Sequence, residues 1–307
     1  MPVSTRRDEL LQKRLDRFTQ LLHGLKRSNV RSIHRTRVAS RRLREVLPVL
    51  QLDADVAHKV GRRLRKVTKR LGAVRELDVL LLEIEKLSDS GRYPGRALGR
   101  VAAAVAEERN HARTRLEAKL PVSALHRLAA KIAKIARGLQ EKDADARSAR
   151  PALRAWRWAI DARIARRSAT LGSAITAAGA LYLPERLHGV RISVKKLRYA
   201  LEMLADLTGA KTTPELRQLR RTQDYLGRLH DLQVLMDRVR QVQASLTPPD
   251  LAAWRELDVL VASLEDQCRR LHGRYMREHD ALMALAARLS GRGAQLAARR
   301  SAARRAS

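Results

Sequence analysis

Histidine, arginine and lysine recur at helical spacing in two places in this chain. The run Ile33-His34-Arg35-Thr36-Arg37-Val38-Ala39-Ser40-Arg41-Arg42-Leu43-Arg44 returns about half the chain later as Leu187-His188-Gly189-Val190-Arg191-Ile192-Ser193-Val194-Lys195-Lys196-Leu197-Arg198. On a helix turning about 100° per residue, His34, Arg37, Arg41 and Arg44 fall within an arc of roughly 80°. His188, Arg191, Lys195 and Arg198 occupy the same arc in the second copy, and Arg42 and Lys196 flank the apolar faces from the other side. Cations in such a row repel one another, and the acids beside them are few, chiefly Glu45 and Glu202. The layout suits a linear anion with closely spaced charges. Arginine can fork two hydrogen bonds onto a phosphate, and lysine acts as a point charge. A protonated His34 or His188 would add a donor, whereas a neutral ring could serve as a structural hydrogen-bond partner, so both roles stay open. Metal ligation is the weakest reading, because neither histidine has a second ligand type four residues on.

A second block recurs in the same order. Leu64–Leu80 matches Leu219–Leu235, with Gly72 and Gly227 at equivalent positions. Arg62, Arg65, Lys66 and Lys69 lie opposite the apolar residues Leu64, Val67, Leu71 and Val74, and their counterparts include Arg217, Arg220 and Arg221. These outer cations fit phosphate contact and an ordinary solvated face equally well. Two ordered blocks at matching spacing indicate internal duplication, with halves at about 5–145 and 150–288. Each mid-helix glycine costs about 1 kcal/mol relative to alanine, so close helix packing is the expected reason for both.

Helices must carry these stripes. Apolar residues recur every three or four positions almost throughout, and no segment alternates as a half-buried strand does. The pattern predicts helices near 5–28, 31–51, 54–88, 94–119 and 123–140, then 151–179, 184–208, 213–245 and 249–288. Pro94, Pro121, Pro151, Pro184 and Pro214 fall at proposed starts, where a missing amide donor costs nothing. Pro48 falls inside a proposed helix and should kink or end it. The segment 291–307, rich in alanine, arginine, serine and glycine, is expected to be a flexible basic tail.

Composition agrees with a folded, anion-seeking protein. Hydrophobic residues make up 45% of 307, enough for a core, while 64 Lys+Arg against 32 Asp+Glu leave a net charge of +32. Such an excess repels itself in the folded state and favours an anionic partner. Cys268 is the single cysteine, which excludes an intrachain disulfide and a cysteine-based zinc site. No apolar signal core follows the N-terminus, and no stretch of about 18 uncharged apolar residues occurs, so a soluble cytoplasmic protein is expected.

The stretches Ile33–Arg44 and Leu187–Arg198, with Leu71–Leu80 and Leu226–Leu235, resemble the CHAD family of histidine-bearing α-helical domains over residues 5–288. The resemblance implies an all-α fold of two four-helix bundles related by a pseudo-twofold axis, with a basic central cavity. It implies binding of inorganic polyphosphate, association with polyphosphate granules, and polyphosphate-metabolising enzymes as partners. Its cationic positions fall on His34, Arg37, Arg41, Arg42 and Arg44, and on His188, Arg191, Lys195, Lys196 and Arg198. The Arg-Asp dipeptide frequent in the family's second motif is Arg75-Glu76 in one copy and His230-Asp231 in the other.

Catalysis is not expected, nor is a cofactor. Some members of the family are joined to a triphosphate-tunnel hydrolase with an ExExK signature. Glu83-Ile84-Glu85-Lys86 misses that signature by one position and lies in helical rather than strand periodicity. No phosphate-cradling GxxxxGK[ST] loop appears, and the paired acids are isolated rather than clustered as Mg²⁺ ligands. The competing reading is sequence-independent binding of duplex DNA, which needs only phosphate contacts. Aromatic residues are only 3% of the chain, and the stripes hold none, nor any Asn or Gln. Base stacking and base-edge reading therefore lack their usual side chains, and an anion without bases is favoured.

Overall fold

Prolines and side-chain caps divide the chain into long helices. The computed structural model describes residues 7–25, 29–93, 95–145, 150–208, 213–246 and 250–305, with side chains left aside at 143–145, 150–157, 207–208, 213 and 292–305. The helices are α1 (Arg7–Leu25), α2 (Val30–Val46), α3 (Ala54–Asp89), α4 (Gly95–Lys119), α5 (Val122–Asp145), α6 (Arg150–Ala178), α7 (Pro184–Thr208), α8 (Thr213–Ala244) and α9 (Leu251–Arg305). Among the described residues there is no strand, and no helix is long and apolar enough to cross a membrane.

The boundaries follow local chemistry. Asn29 accepts from the Ser32 amide at 2.7 Å, and Asp53 accepts from the amides of Asp55 and Val56, so each caps the orphan donors of a helix start. Pro48 ends α2 as expected, in a short 3₁₀ turn at Leu47–Val49. Gly91 and Gly179, at φ +65° and +61°, close α3 and α6 in the left-handed conformation that glycine adopts without strain. The expected tail behaves differently: the backbone of α9 continues as helix to Arg305.

Packing buries the apolar faces that the wheel assigns. Ile33, Ala39, Leu43, Val46, Leu47 and Leu50 are buried on the first stripe-bearing segment, as are Leu187, Val190, Val194, Leu197 and Leu201 on the second. Each such leucine or isoleucine contributes about 1.5–3 kcal/mol by leaving water. In the second half, α6 packs on α7, α7 on α8, α8 on α9, and α9 back on α6, closing a four-helix ring. The first half has five helices rather than four: α1, α2, α3 and α4 pack in sequence, and α5 returns onto α1. Pro121 falls at the break between α4 and α5, whereas α9 runs uninterrupted along both of its neighbours.

The halves meet where α2 faces α7, α3 faces α8, and α4 faces α8 and α9. Ion pairs cross this junction repeatedly. Arg14 pairs with Asp206, Arg228 with buried Glu83, Arg163 with Glu45 at 2.5 Å, Arg238 with Glu108 at 2.7 Å, and Arg100 with Asp250 at 2.8 Å. Many of the scarce carboxylates thus join the two halves.

Candidate anion-binding site

The two stripes converge on one cavity. Its volume is about 620 Å³, and its walls come from α2, α3, α7 and α8. From α2 come His34, Arg37 and Arg41; from α7 come His188, Arg191, Lys195 and Arg198. Helix α3 adds Arg75 and Glu76, and α8 adds Gln223, His230 and Asp231, with Tyr199 beside the α7 stripe. Buried hydroxyls fix α2 against α3: Ser40 Oγ and Thr68 Oγ1 are 3.0 Å apart, so that one donates to the other while the second donates to a carbonyl of its own helix.

Burial, reinforced by crowding of like charge, dominates the electrostatics. Burial, then Arg191, Arg41, Arg37 and Arg198, push the Lys195 ammonium down to about 7. Burial and Arg41 push Arg37 down to about 10, against a partial counterpull from Glu76. Arg191 is lowered by burial, with Asp231 opposing. Burial pushes His230 down to about 4, helped by Arg191, His188 and Lys195. His34 and His188 are also lowered, first by burial and then by adjacent cations. Asp231 is raised by burial even though Arg191, Arg228, Arg75 and Lys195 pull it down. Buried cations lose hydration and gain like-charged neighbours, so the folded cavity shifts each of them toward its neutral form, furthest at Lys195.

Two buried donors of the lining have no protein partner among the described residues. The Nε atoms of Arg37 and Arg191 are buried and donate to no acceptor among the described residues. Others are held in place. Arg198 Nε donates to Gln223 Oε1 at 2.9 Å, while its guanidinium pairs with Glu202 and lies 4.8 Å from the Tyr199 ring centre. Arg41 Nη1 donates to Tyr199 OH at 3.4 Å. The Nδ1 atoms of His188 and His230 stand 3.4 Å apart, in reach of one shared proton.

Seven of the residues singled out by spacing line the cavity: His34, Arg37, Arg41, His188, Arg191, Lys195 and Arg198. The rest lie elsewhere. Arg42 donates to Glu202 at 3.4 Å and faces a separate hollow beside α1. Arg44 turns to Glu45 at 3.7 Å, and half-buried Lys196 stands off the lining. Arg62, Arg65, Lys66, Lys69 and Arg217 are exposed, while Arg220 pairs with Glu202 and Arg221 with Glu278. Spacing missed Arg75, Glu76, Tyr199, Gln223, His230 and Asp231. The signal available for four of these was the aligned pair of dipeptides, Arg75-Glu76 and His230-Asp231.

Gly72 belongs to the site as well. A Cβ there would lie 3.2 Å from Arg37 Nε, so the glycine makes room for this guanidinium. The packing expectation therefore holds at Gly72 in a specific form and fails at Gly227, where a Cβ would meet no atom within 4 Å.

The model of the CHAD domain matches residues 9–240 of the chain. The chain belongs to the CHAD domain family. This family is associated with polyphosphate binding. Among solved structures, this CHAD domain is similar to PptA from Streptomyces chartreusis at TM-score 0.61 and 19% identity, covering 90% of this chain and 99% of that one. It is similar also to the CHAD domain from the plant Ricinus communis at TM-score 0.58 and 20% identity, covering 93% of each chain. At these identities the likeness is one of fold. No curated protein matches the chain.

Proposed function

We propose that this CHAD domain binds inorganic polyphosphate in its central cavity and does so without turnover. The observation that carries the reading is the convergence of two equivalent stripes, from the two halves of the chain, on one hollow. An anion there would offset the burial and repulsion that lower Lys195, Arg37 and Arg191, and would accept from the two unpartnered Nε donors. A backbone of tetrahedral phosphates with no bases matches walls in which cationic donors outnumber the one amide, Gln223, and the one phenol ring, Tyr199. Glu76 and Asp231, the two carboxylates of the lining, both lie beside arginines. Their role in this reading is to orient cations.

In the cell such a module would act as a scaffold or a polyphosphate-granule protein in the cytoplasm, alongside enzymes that make or consume polyphosphate. A fluorescent fusion that stays diffuse in polyphosphate-replete cells would remove the granule assignment. The alternative, sequence-independent duplex DNA binding, draws on the exposed cations Arg62, Arg65, Lys66, Lys69 and Arg217, which stand outside the cavity. A competition titration at near-physiological salt separates the two, with long-chain polyphosphate set against duplex DNA and single-stranded RNA at matched phosphate. Polyphosphate should win by about 100-fold, since generic counterion release alone would give comparable affinities for all three.

A further inference from the structure

A second cationic hollow lies next to the first. A hollow of about 840 Å³ beside α1 mixes Asp8, Glu9 and Asp16 with its basic residues and so selects neither sign. The cleft at the C-terminal end of α3, between α8 and α9, has a different character. Its volume is about 460 Å³, and its lining includes Lys86, Arg92, Arg228, Arg270 and Arg274. Arg228 is tied to buried Glu83, and Arg270 to Asp266. Lys86, Arg92 and Arg274 have no ion pair among the described residues.

The cleft also holds an oriented hydroxyl. Tyr93 OH accepts from Gln267 Nε2 at 2.5 Å and from Ser263 Oγ at 3.4 Å, which leaves its own proton to donate. Cations without internal partners beside a fixed donor are what a phosphate oxygen requires.

Continuity with the central cavity decides what kind of anion fits. Asp231 of the cavity and Arg228 of the cleft are one turn apart on α8 and interact electrostatically. On α3, Leu80 of the cavity and Lys86 of the cleft are separated by about 9 Å of helix rise. We propose that this cleft is a second phosphate site, taking the stretch of a polyphosphate chain that leaves the central cavity, with Arg228 at the junction. The inference rests on polyphosphate binding in that cavity. Two linked sites on one chain raise affinity through effective concentration, so the cleft selects long chains over short ones.

The test compares tripolyphosphate with long-chain polyphosphate on the full chain, by calorimetric titration. The variant is Lys86→Glu, Arg92→Glu and Arg274→Glu combined, all three being exposed positions. An equal charge change at exposed Arg127, Lys131 and Lys134 of α5 serves as the control. Long-chain affinity should fall by roughly tenfold in the cleft variant, and the salt slope for the long chain should shrink by roughly two. Tripolyphosphate affinity should be unchanged in both variants, and circular dichroism should show unchanged helicity. Unaltered long-chain affinity, or an equal loss in the α5 control, would overturn the second site while leaving the cavity in place. Failure of the wild-type chain to bind either polyphosphate would instead remove the central reading and this one with it.

Discussion

In the first wall of the cavity, Arg37, Arg41 and Arg75 face inward; in the second, the equivalent positions hold Arg191, Lys195 and His230. The first wall carries only guanidinium cations at these positions. The second contains two groups that titrate at or below neutrality, Lys195 at about 7 and His230 at about 4. The histidines differ in their neighbours too: His34 sits under the influence of Arg75, while His188 faces His230. Duplication therefore preserved the shape of the site but not its response to pH. One wall keeps its charge at neutral pH, and part of the other's charge is conditional on pH.

The largest effect should come from breaking both walls together. Charge reversal at Arg37, Arg41, Arg191 and Lys195 should cost about 100-fold or more in polyphosphate affinity, because each position changes from attraction to repulsion. Helicity by circular dichroism should persist; full affinity in a folded variant would show that the cavity is not the site.

The contrast between walls predicts a pH dependence that belongs to the second. A bound phosphate would stabilise protonated Lys195 and raise its value above about 7. Binding above that pH must then draw in a proton, and affinity should fall by up to about tenfold per pH unit as pH rises. Calorimetry in buffers of different ionisation heat reads the proton uptake. Lys195→Arg should flatten the profile, and an equally steep profile in that variant would assign the proton elsewhere.

Stability of the free protein should move in the opposite sense to binding. The folded value of Lys195 lies below the ordinary lysine value of 10.5, so the unfolded chain binds more protons between about 7 and that value. Stability from this group therefore rises with pH across that window, and the full cost is present below about 7. Lys195→Met should stabilise the free protein at neutral pH by about 1–3 kcal/mol after allowing for solvent screening. Denaturant unfolding would show it, and a destabilised variant would mean that Lys195 is held by contacts stronger than the repulsion around it.

The smallest effects should separate the two glycines. Gly72→Ala crowds Arg37 and should weaken polyphosphate binding a few-fold. Gly227→Ala meets open space and should leave binding alone while raising stability by about 1 kcal/mol through helix propensity. Equal responses at the two positions would erase this difference between the walls.

Much of this arrangement was readable before any coordinates. Pro48, Pro184 and the caps Asn29 and Asp53 mark helix ends by purely local rules, and the observed boundaries follow them within a few residues. The wheel placed Arg37, Arg41, Arg191 and Lys195 on one arc because helix periodicity alone dictates which side chains share a face. It could not tell Arg44 from Arg198. Both lie on the arc, yet Arg44 ends on Glu45 while Arg198 reaches the cavity through Gln223 and Glu202. Nor could it identify Gln223 or Tyr199, whose importance comes from residues on other helices.

By itself, then, the sequence determined the helices, the duplicated stripes, the excess of positive charge and the family. These depend on neighbours within a turn or two, or on composition. Tertiary structure decided which cations lose water and crowd together, and which find a carboxylate across the junction. Glu45, Glu83, Glu202 and Asp206 each pair with an arginine from the opposite half, and nothing in local spacing specifies those partners. Desolvation and Coulomb repulsion act through space, and they turn Lys195 from an ordinary surface-type lysine into a group poised near neutrality.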